Sequence, residues 1–354
     1  MQEYNSDWYS DKTFNDIPRW DDFSPDDEKV ARKRFSRFAM ALSIYMLIPS
    51  VLMVALELAL PMFFPSNYTQ ILENPMFIWG ANVVLMYVIS LPILYLTVFR
   101  MKKTIRVKSR IGMMEFIKLI CISSSLMYIG STIASVLSSV ITAITGITVP
   151  DHTADLIESS PIWLIILVAV IIGPIVEELI FRKLLMDRLG IYGDRTAIVF
   201  SAVIFGLFHG NFYQLFYATL LGFLLAYVYA RTSKLVYPIA IHMIVNFCGS
   251  VIPILLMDSF ERFYELYDEF TATTEFSSEF LRLYVIVGLY SFVTLSLLIA
   301  GIVIFIKNRR RIFVSDRCEV LIPKEKRCSV IIGNAGVVIF TVLMVASMIL
   351  SVLM

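Results

Sequence analysis

The sequence predicts an all-α protein, a polytopic transmembrane helix bundle of about eight or nine spans with its N-terminus in the cytoplasm. Hydrophobic residues make up 58% of the 354 residues, whereas a soluble globular protein has about 45–50%. These residues form long blocks, and Lys and Arg collect between the blocks. Helices fit such blocks because lipid offers no hydrogen-bond partner to an open backbone.

The apolar blocks give the predicted spans in chain order. A spanning helix needs about 20 mainly apolar residues. Eight blocks have this length, and they are 38–63, 76–99, 114–145, 161–186, 212–231, 235–257, 282–306 and 330–353. A shorter block at 196–210 must also cross if the basic loops are to stay on one side, which gives nine spans.

The basic residues predict the orientation of these spans. All Lys and Arg except Arg262 and Arg282 lie in or beside segments that alternating spans place on one side. The positive-inside rule makes that side the cytoplasm, so the N-terminus lies inside and the C-terminus outside. The polar, acidic first residues do not resemble a signal peptide, and the first hydrophobic helix is expected to direct insertion.

The same patterns divide the chain into regions. These are a cytoplasmic N-terminal tail (1–37), N-terminal transmembrane helices (38–147), a core (160–257), an acidic extracytoplasmic segment (258–281) and C-terminal transmembrane helices (282–354) with a basic cytoplasmic loop (307–328). The aromatic spacing in 258–281 favours a helix resting on the bilayer, with a lid as the alternative. A net charge of +1 argues against a nucleic-acid partner, and the four cysteines lack the spacing of a disulfide framework or thiolate zinc site.

Polar residues inside the apolar blocks of the core are the candidate functional residues. They are Glu177, Glu178, Arg182, His209, His242 and Asn246. Ionisable residues at membrane depth are rare and commonly functional. Three pairs at i,i+4 spacing share helix faces, and they are Glu178 with Arg182, Phe205 with His209, and His242 with Asn246. Glu177 is turned about 100° from Glu178, so one carboxylate can be structural while the other reacts.

Counting residues along each helix places the candidate residues inside the membrane, but their depths are not all the same. Counted along its short span, His209 lies nearer the outer end than Glu177 and His242 do, which a tilted or recessed fifth span would resolve. Pro174 stands one turn before the carboxylates, and a proline kink there could let water reach Glu177.

Two acids, two histidines and an asparagine around water favour hydrolysis. A carboxylate can act as a general base, a histidine can share the activation of water, and a second histidine with an amide can stabilise an oxyanion. The set Glu177, His209 and His242 could instead hold zinc or another divalent metal, because two histidines and a glutamate form a known catalytic zinc set. The sequence leaves the metal and metal-free alternatives open.

Three motifs resemble those of a known family. EELIFR fits E-E-x-x-x-R, FGLFH fits F-x-x-x-H and HMIVN fits H-x-x-x-N. In this order, about thirty residues apart, they resemble the CPBP family of intramembrane proteases, which includes the CAAX prenyl endopeptidase (Rce1-type) and bacterial Abi proteins linked to bacteriocin self-immunity. The resemblance covers roughly 160–250.

The resemblance implies roles for the individual residues. Glu177 and His209 would activate water, His242 and Asn246 would form the oxyanion site, and Glu178 and Arg182 would support the helix. Family members are named metalloproteases, yet a metal-free mechanism has also been put forward. The expected partners are the lipid bilayer and a membrane-associated peptide substrate, and the expected location is a bacterial cell membrane.

Three functional hypotheses follow. The first is an intramembrane endopeptidase that cuts a membrane-associated peptide in the cytoplasmic half of the bilayer. The second is a catalytically silent immunity or partner protein that binds a peptide in the same pocket. The third is an ion or proton transporter with Glu177 and the histidines as a relay, for which no inverted repeat is visible.

Overall fold

The computed structural model describes residues 23–104, 106–273, 277–309 and 318–353. These ranges contain helices and no strand. The helices are α1 (Pro25–Phe63), α2 (Tyr68–Glu73), α3 (Pro75–Val98), α4 (Met113–Thr145), α5 (His152–Glu158), α6 (Ile162–Tyr192), α7 (Asp194–Phe208), α8 (Phe212–Thr232), α9 (Val236–Thr271), α10 (Ser278–Asn308), α11 (Lys324–Arg327) and α12 (Ala335–Leu353). The all-α prediction is confirmed, since eight of these helices are long and apolar enough to cross a membrane.

The first helix begins earlier than predicted. Ser24 caps α1 by accepting a hydrogen bond from the Asp27 amide, and the Asp27 carboxylate accepts one from the Ser24 amide in return. Phe35 and Phe38 are fully buried in the core, so the basic stretch 29–37 has an apolar face that packs. The predicted tail 1–37 is therefore helical from Pro25 onward, and its residues 1–22 lie outside the described ranges.

The basic segments meet at one end of the molecule, as expected if they all lie on one side of the membrane. Lys102 pairs with Glu319 at 2.6 Å, and Lys326 pairs with Glu28 at 2.7 Å. The Ser109 amide donates to the Thr232 carbonyl at 3.0 Å. The N-terminal tail, the loop after α3, the turn after α8 and the described part of the loop before α12 thus share a face, which we call the basic end. Residues 310–317 of the predicted basic loop lie outside the described ranges.

A buried ionic cluster joins the core helices at the basic end. Arg106 lies 2.6 Å from Asp194 at the start of α7 and 3.6 Å from Asp187 in α6. Tyr229 in α8 donates a hydrogen bond to Asp187 at 2.9 Å. The cluster fixes the relative heights of α6, α7 and α8, and α6 and α7 carry Glu177, Glu178, Arg182 and Phe205.

The short predicted span is a separate, recessed helix. α7 has 15 residues, about 22 Å at 1.5 Å per residue, which falls short of a 30 Å hydrocarbon core. The turn that follows it is held by Asn211, whose side chain donates to Asp151 at 3.2 Å and Thr153 at 3.1 Å. The start of α5 therefore contacts the turn that follows α7.

The acidic segment 258–281 continues two long helices. α9 runs through it without a break up to the residues 274–276, which lie outside the described ranges, and α10 begins beyond them. Phe263 stacks on Phe280 with ring centroids 5.7 Å apart, and Arg262 pairs with Glu279 at 3.2 Å. The aromatic side chains of this segment thus join the two helices into a hairpin.

Candidate active site

The two adjacent glutamates lie on a short α-helical segment of α6 between two π-helical stretches. The stretches are Ile166–Ile172 and Leu179–Met186, and Gly173–Glu178 lies between them. Pro174 has no amide hydrogen to donate, and the preceding Gly173 amide bonds to Val168, five residues back. Such widened turns are frequent at functional sites. The proline and the two π stretches interrupt the regular helix where the charged residues begin.

Glu178 and Arg182 form the buried ion pair that their i,i+4 spacing predicted. Both side chains have 0% exposure, and Arg182 Nε lies 3.1 Å from Glu178 Oε2. Arg182 also donates to the Gly222 carbonyl at 3.3 Å and places its guanidinium 4.7 Å from the centroid of Phe205. Because a buried carboxylate needs a partner, this pair explains how Glu178 persists in an apolar block.

His242 lies between the two carboxylates. Its Nδ1 is 3.1 Å from Glu178 Oε1, and its Nε2 is 3.7 Å from Glu177 Oε2. An ionised carboxylate only accepts hydrogen bonds, so Nδ1 donates to Glu178. Glu178 therefore fixes the imidazole ring with its Nε2 facing Glu177. This contact joins residues 64 positions apart.

Glu177 differs from Glu178 in access and in partners. Its side chain is 22% exposed, and no hydrogen bond from the described residues engages its carboxylate. The sequence predicted that the two carboxylates face different neighbours, whereas both lie near His242 and only Glu178 also pairs with Arg182. Glu178 is fixed by Arg182 and His242, while the Glu177 carboxylate can take a water molecule.

His209 follows the last residue of α7. Its Nδ1 donates to the Phe205 carbonyl at 2.8 Å, since a carbonyl can only accept. This leaves Nε2 available as an acceptor in the neutral ring. The Phe205 ring contacts both imidazoles edge-on, with centroids 4.9 Å from His209 and 5.8 Å from His242. The aromatic residue of the second motif therefore packs the two histidines and Arg182 together.

Asn246 is engaged differently from the role that the resemblance implied. Its side-chain amide donates to the Ala169 carbonyl in α6 at 2.9 Å. Ala169 lies in the π-helical stretch Ile166–Ile172, where backbone amides bond to carbonyls five residues back instead of four. In this arrangement one hydrogen of the amide group ties α9 to α6, and the second hydrogen remains for another acceptor.

The candidate metal ligands are Glu177, His209 and His242. Among the described residues, no group of three or more His, Cys, Asp or Glu side chains gathers closely enough to hold an ion. Glu178 occupies Nδ1 of His242, and the Phe205 carbonyl occupies Nδ1 of His209. Each histidine thus keeps its Nε2, and a partner on the other ring nitrogen is usual for histidines that bind a metal.

The sequence missed the tyrosines that the N-terminal helices bring to this site. The Tyr87 hydroxyl of α3 would stand 3.7 Å from a Cβ on Gly173, one turn before Glu177, and Tyr45 of α1 packs against Phe208. Each stands in an apolar block, where a tyrosine is also an ordinary packing residue. Their sequence context gave no signal that they approach α6.

Comparison with known proteins gives two matches. The family model for "Type II CAAX prenyl endopeptidase Rce1-like" proteins matches residues 159–248. A Bacillus subtilis (strain 168) protein named "Putative membrane peptidase YdiL" is 40% identical over 96 residues. The aligned stretch covers 26% of this chain and 37% of that relative. No solved structure matches the chain significantly.

Proposed function

We propose that this chain is an intramembrane endopeptidase, because residues 159–248 match the family model of Rce1-like CAAX prenyl endopeptidases. It hydrolyses a peptide bond of a membrane-associated substrate, and Glu177 is the general base that activates water. The chain matches little more than a third of its curated relative, so the activity of the whole protein is part of the proposal.

The contrast between the two adjacent glutamates carries this proposal. Glu178 has 0% exposure and is held by Arg182 and His242, whereas Glu177 is 22% exposed and has no hydrogen bond from the described residues. A general base must be able to reach the proton that it removes, directly or through one water. Of the two carboxylates, only Glu177 meets this condition.

The residues support a balanced hydrolysis. Glu177 takes a proton from water, and the resulting hydroxide adds to the carbonyl carbon of the scissile bond. The tetrahedral intermediate collapses with cleavage of the C–N bond, and the proton on Glu177 passes to the departing amine. His209 Nε2 can accept from the same water, and His242 Nε2, when protonated, can donate to the oxyanion.

A conservative substitution at Glu177 tests the proposal. Glu177→Gln keeps the shape of the side chain but removes the base, and we expect cleavage to fall by about 10²-fold or more. The measurement is a mass-spectrometric comparison of peptide termini in membranes that contain the wild type or the variant. Termini that disappear in the variant identify substrates.

The matched control is Glu57→Gln, which changes a carboxylate exposed on α1 away from the described site. We expect its peptide termini to match those of the wild type. If Glu177→Gln inserts normally and leaves every terminus and the cellular phenotype unchanged, the silent peptide-binding alternative replaces the protease.

A further inference from the structure

The α3 helix places a tyrosine hydroxyl beside Gly173, one helical turn before the carboxylate that we assign as the base. Tyr87 lies in a π-helical stretch, Val83–Ser90, within α3. The Ser90 hydroxyl donates to the Leu85 carbonyl, five residues back, at 2.8 Å. α3 precedes residues 159–248 and is outside the family match. Its contribution to the site is therefore a feature of this chain's N-terminal helices.

Gly173 lies next to the hydroxyl of Tyr87. A Cβ atom at Gly173 would stand 3.7 Å from the Tyr87 hydroxyl oxygen. Gly173 and Glu177 are i,i+4 in the α-helical segment of α6 and so share one face. Side chains of a helix lean toward its N-terminus, so the Glu177 side chain leans toward the position over Gly173 where the Tyr87 hydroxyl lies.

The surroundings of Tyr87 leave its hydroxyl available to water. No described residue forms a hydrogen bond with the Tyr87 hydroxyl, and the Tyr87 side chain is only partly buried. Behind it, Tyr45 is buried at 1% exposure and packs against Phe208 with ring centroids 5.6 Å apart. Tyr45 is therefore a packing residue, whereas the Tyr87 hydroxyl can donate a hydrogen bond near Gly173.

We propose that the Tyr87 hydroxyl, over the bare Gly173 position, donates to a water shared with the Glu177 carboxylate and positions that water. The inference rests on the proposed function, in which Glu177 activates the water. Tyr87 is then a water-positioning residue contributed by α3. Through this water the hydroxyl interacts with the carboxylate, and hydrogen bonds to charged acceptors are the strong ones.

Carboxyl labelling tests this without a substrate. Dicyclohexylcarbodiimide couples to protonated carboxyl groups in apolar surroundings, and peptide mass spectrometry quantifies the adduct at Glu177 across a pH series. In Tyr87→Phe we expect the pH of half-labelling to rise by about one unit, a tenfold weakening of the interaction with the ionised carboxylate. Tyr95→Phe, on the same helix and 47% exposed, should leave the half-labelling pH unchanged.

A second variant guards against a simple packing defect in Tyr87→Phe. Gly173→Ala leaves the hydroxyl in place but puts a methyl group against it, and it should raise the half-labelling pH in the same direction. The methyl group also meets the Val168 carbonyl at 3.1 Å, a contact that requires only a small shift. An unchanged half-labelling pH in both variants overturns the role of Tyr87.

Activity separates this inference from the proposed function. In wild-type membranes that show Glu177-dependent peptide termini, Tyr87→Phe should lower their yield about tenfold or more. If both variants shift the labelling and the wild type cleaves nothing, the water-positioning role stands and the protease assignment fails. If cleavage depends on Glu177 and neither variant shifts the labelling, the protease stands and Tyr87 is a packing residue.

Discussion

At the scale of single residues, the site depends on giving two neighbouring carboxylates different surroundings. Taking an unpaired charge out of water costs several kcal/mol even after the protein relaxes. Glu178 meets that cost through Arg182 on one side and His242 on the other. Glu177 retains partial exposure instead. The division follows from helix geometry, because residues one position apart face directions about 100° apart.

The buried pair gives a stability prediction. Arg182→Met removes the cation but leaves the Glu178 carboxylate at 0% exposure, and we expect a loss of about 3–5 kcal/mol in the free energy of unfolding. The measurement is the thermal unfolding midpoint of the purified protein in detergent. Lys102→Met is the control, because its pair with Glu319 is exposed and such pairs contribute about 0–1 kcal/mol.

The double variant Glu178→Met, Arg182→Met sharpens this prediction. Neither charge remains buried, so the double variant should unfold at a higher temperature than Arg182→Met alone. It should still be inactive, since His242 loses the carboxylate that fixes its ring. An Arg182→Met protein as stable as the Lys102→Met control would contradict the role of this pair.

At the scale of helices, α7 and α8 must approach closely to place Phe205 and His209 against Arg182. Two glycines allow this approach. A Cβ at Gly206 would collide with the Thr219 hydroxyl and come within 2.7 Å of the Leu215 carbonyl. A Cβ at Gly222 would stand 3.1 Å from Ala202 Cα. The position of His209 therefore depends on residues that do no chemistry.

Substitution of Gly206 tests this dependence. Gly206→Ala should push α7 and α8 apart, cost about 1–3 kcal/mol in the free energy of unfolding through overpacking, and lower cleavage by displacing His209. Gly288→Ala is the matched control, since nothing lies within 4 Å of a Cβ at that helical position. It should be neutral or stabilise by up to about 1 kcal/mol, because alanine is the better helix former. Thermal unfolding of both variants in parallel distinguishes the two outcomes.

The sequence predicted local geometry better than contacts between helices. Hydrophobic blocks and i,i+4 spacing indicated the order of the spans and the Glu178–Arg182 pair, because both depend only on helix periodicity. The bond between Asn246 and the Ala169 carbonyl depends on a π turn in another helix. The approach of Tyr87 to Gly173 depends on tertiary packing. Neither contact has a periodic signature in the sequence.

At the scale of the whole molecule, the first and last helices run in the same direction. Arg32 donates to the Gly333 carbonyl at 2.8 Å, and the Gly336 amide donates to the Ser36 hydroxyl at 2.9 Å. The beginnings of α1 and α12 therefore lie together at the basic end. Parallel first and last helices require an odd number of crossings, so we expect the short α7 to cross in addition to the eight long helices.

Reporter fusions at the two termini test this topology. With the basic end in the cytoplasm, we expect a fluorescent protein at the N-terminus to fluoresce and an alkaline phosphatase at the C-terminus to be active outside. The reverse pair of fusions, with phosphatase at the N-terminus and fluorescent protein at the C-terminus, is the control and should be silent. The α7 helix decides the result, because without its crossing the chain would pass the membrane eight times and both termini would face the same side. Termini on one side would therefore contradict the parallel arrangement of α1 and α12. It would also mean that α7, which ends just before His209, does not cross the membrane.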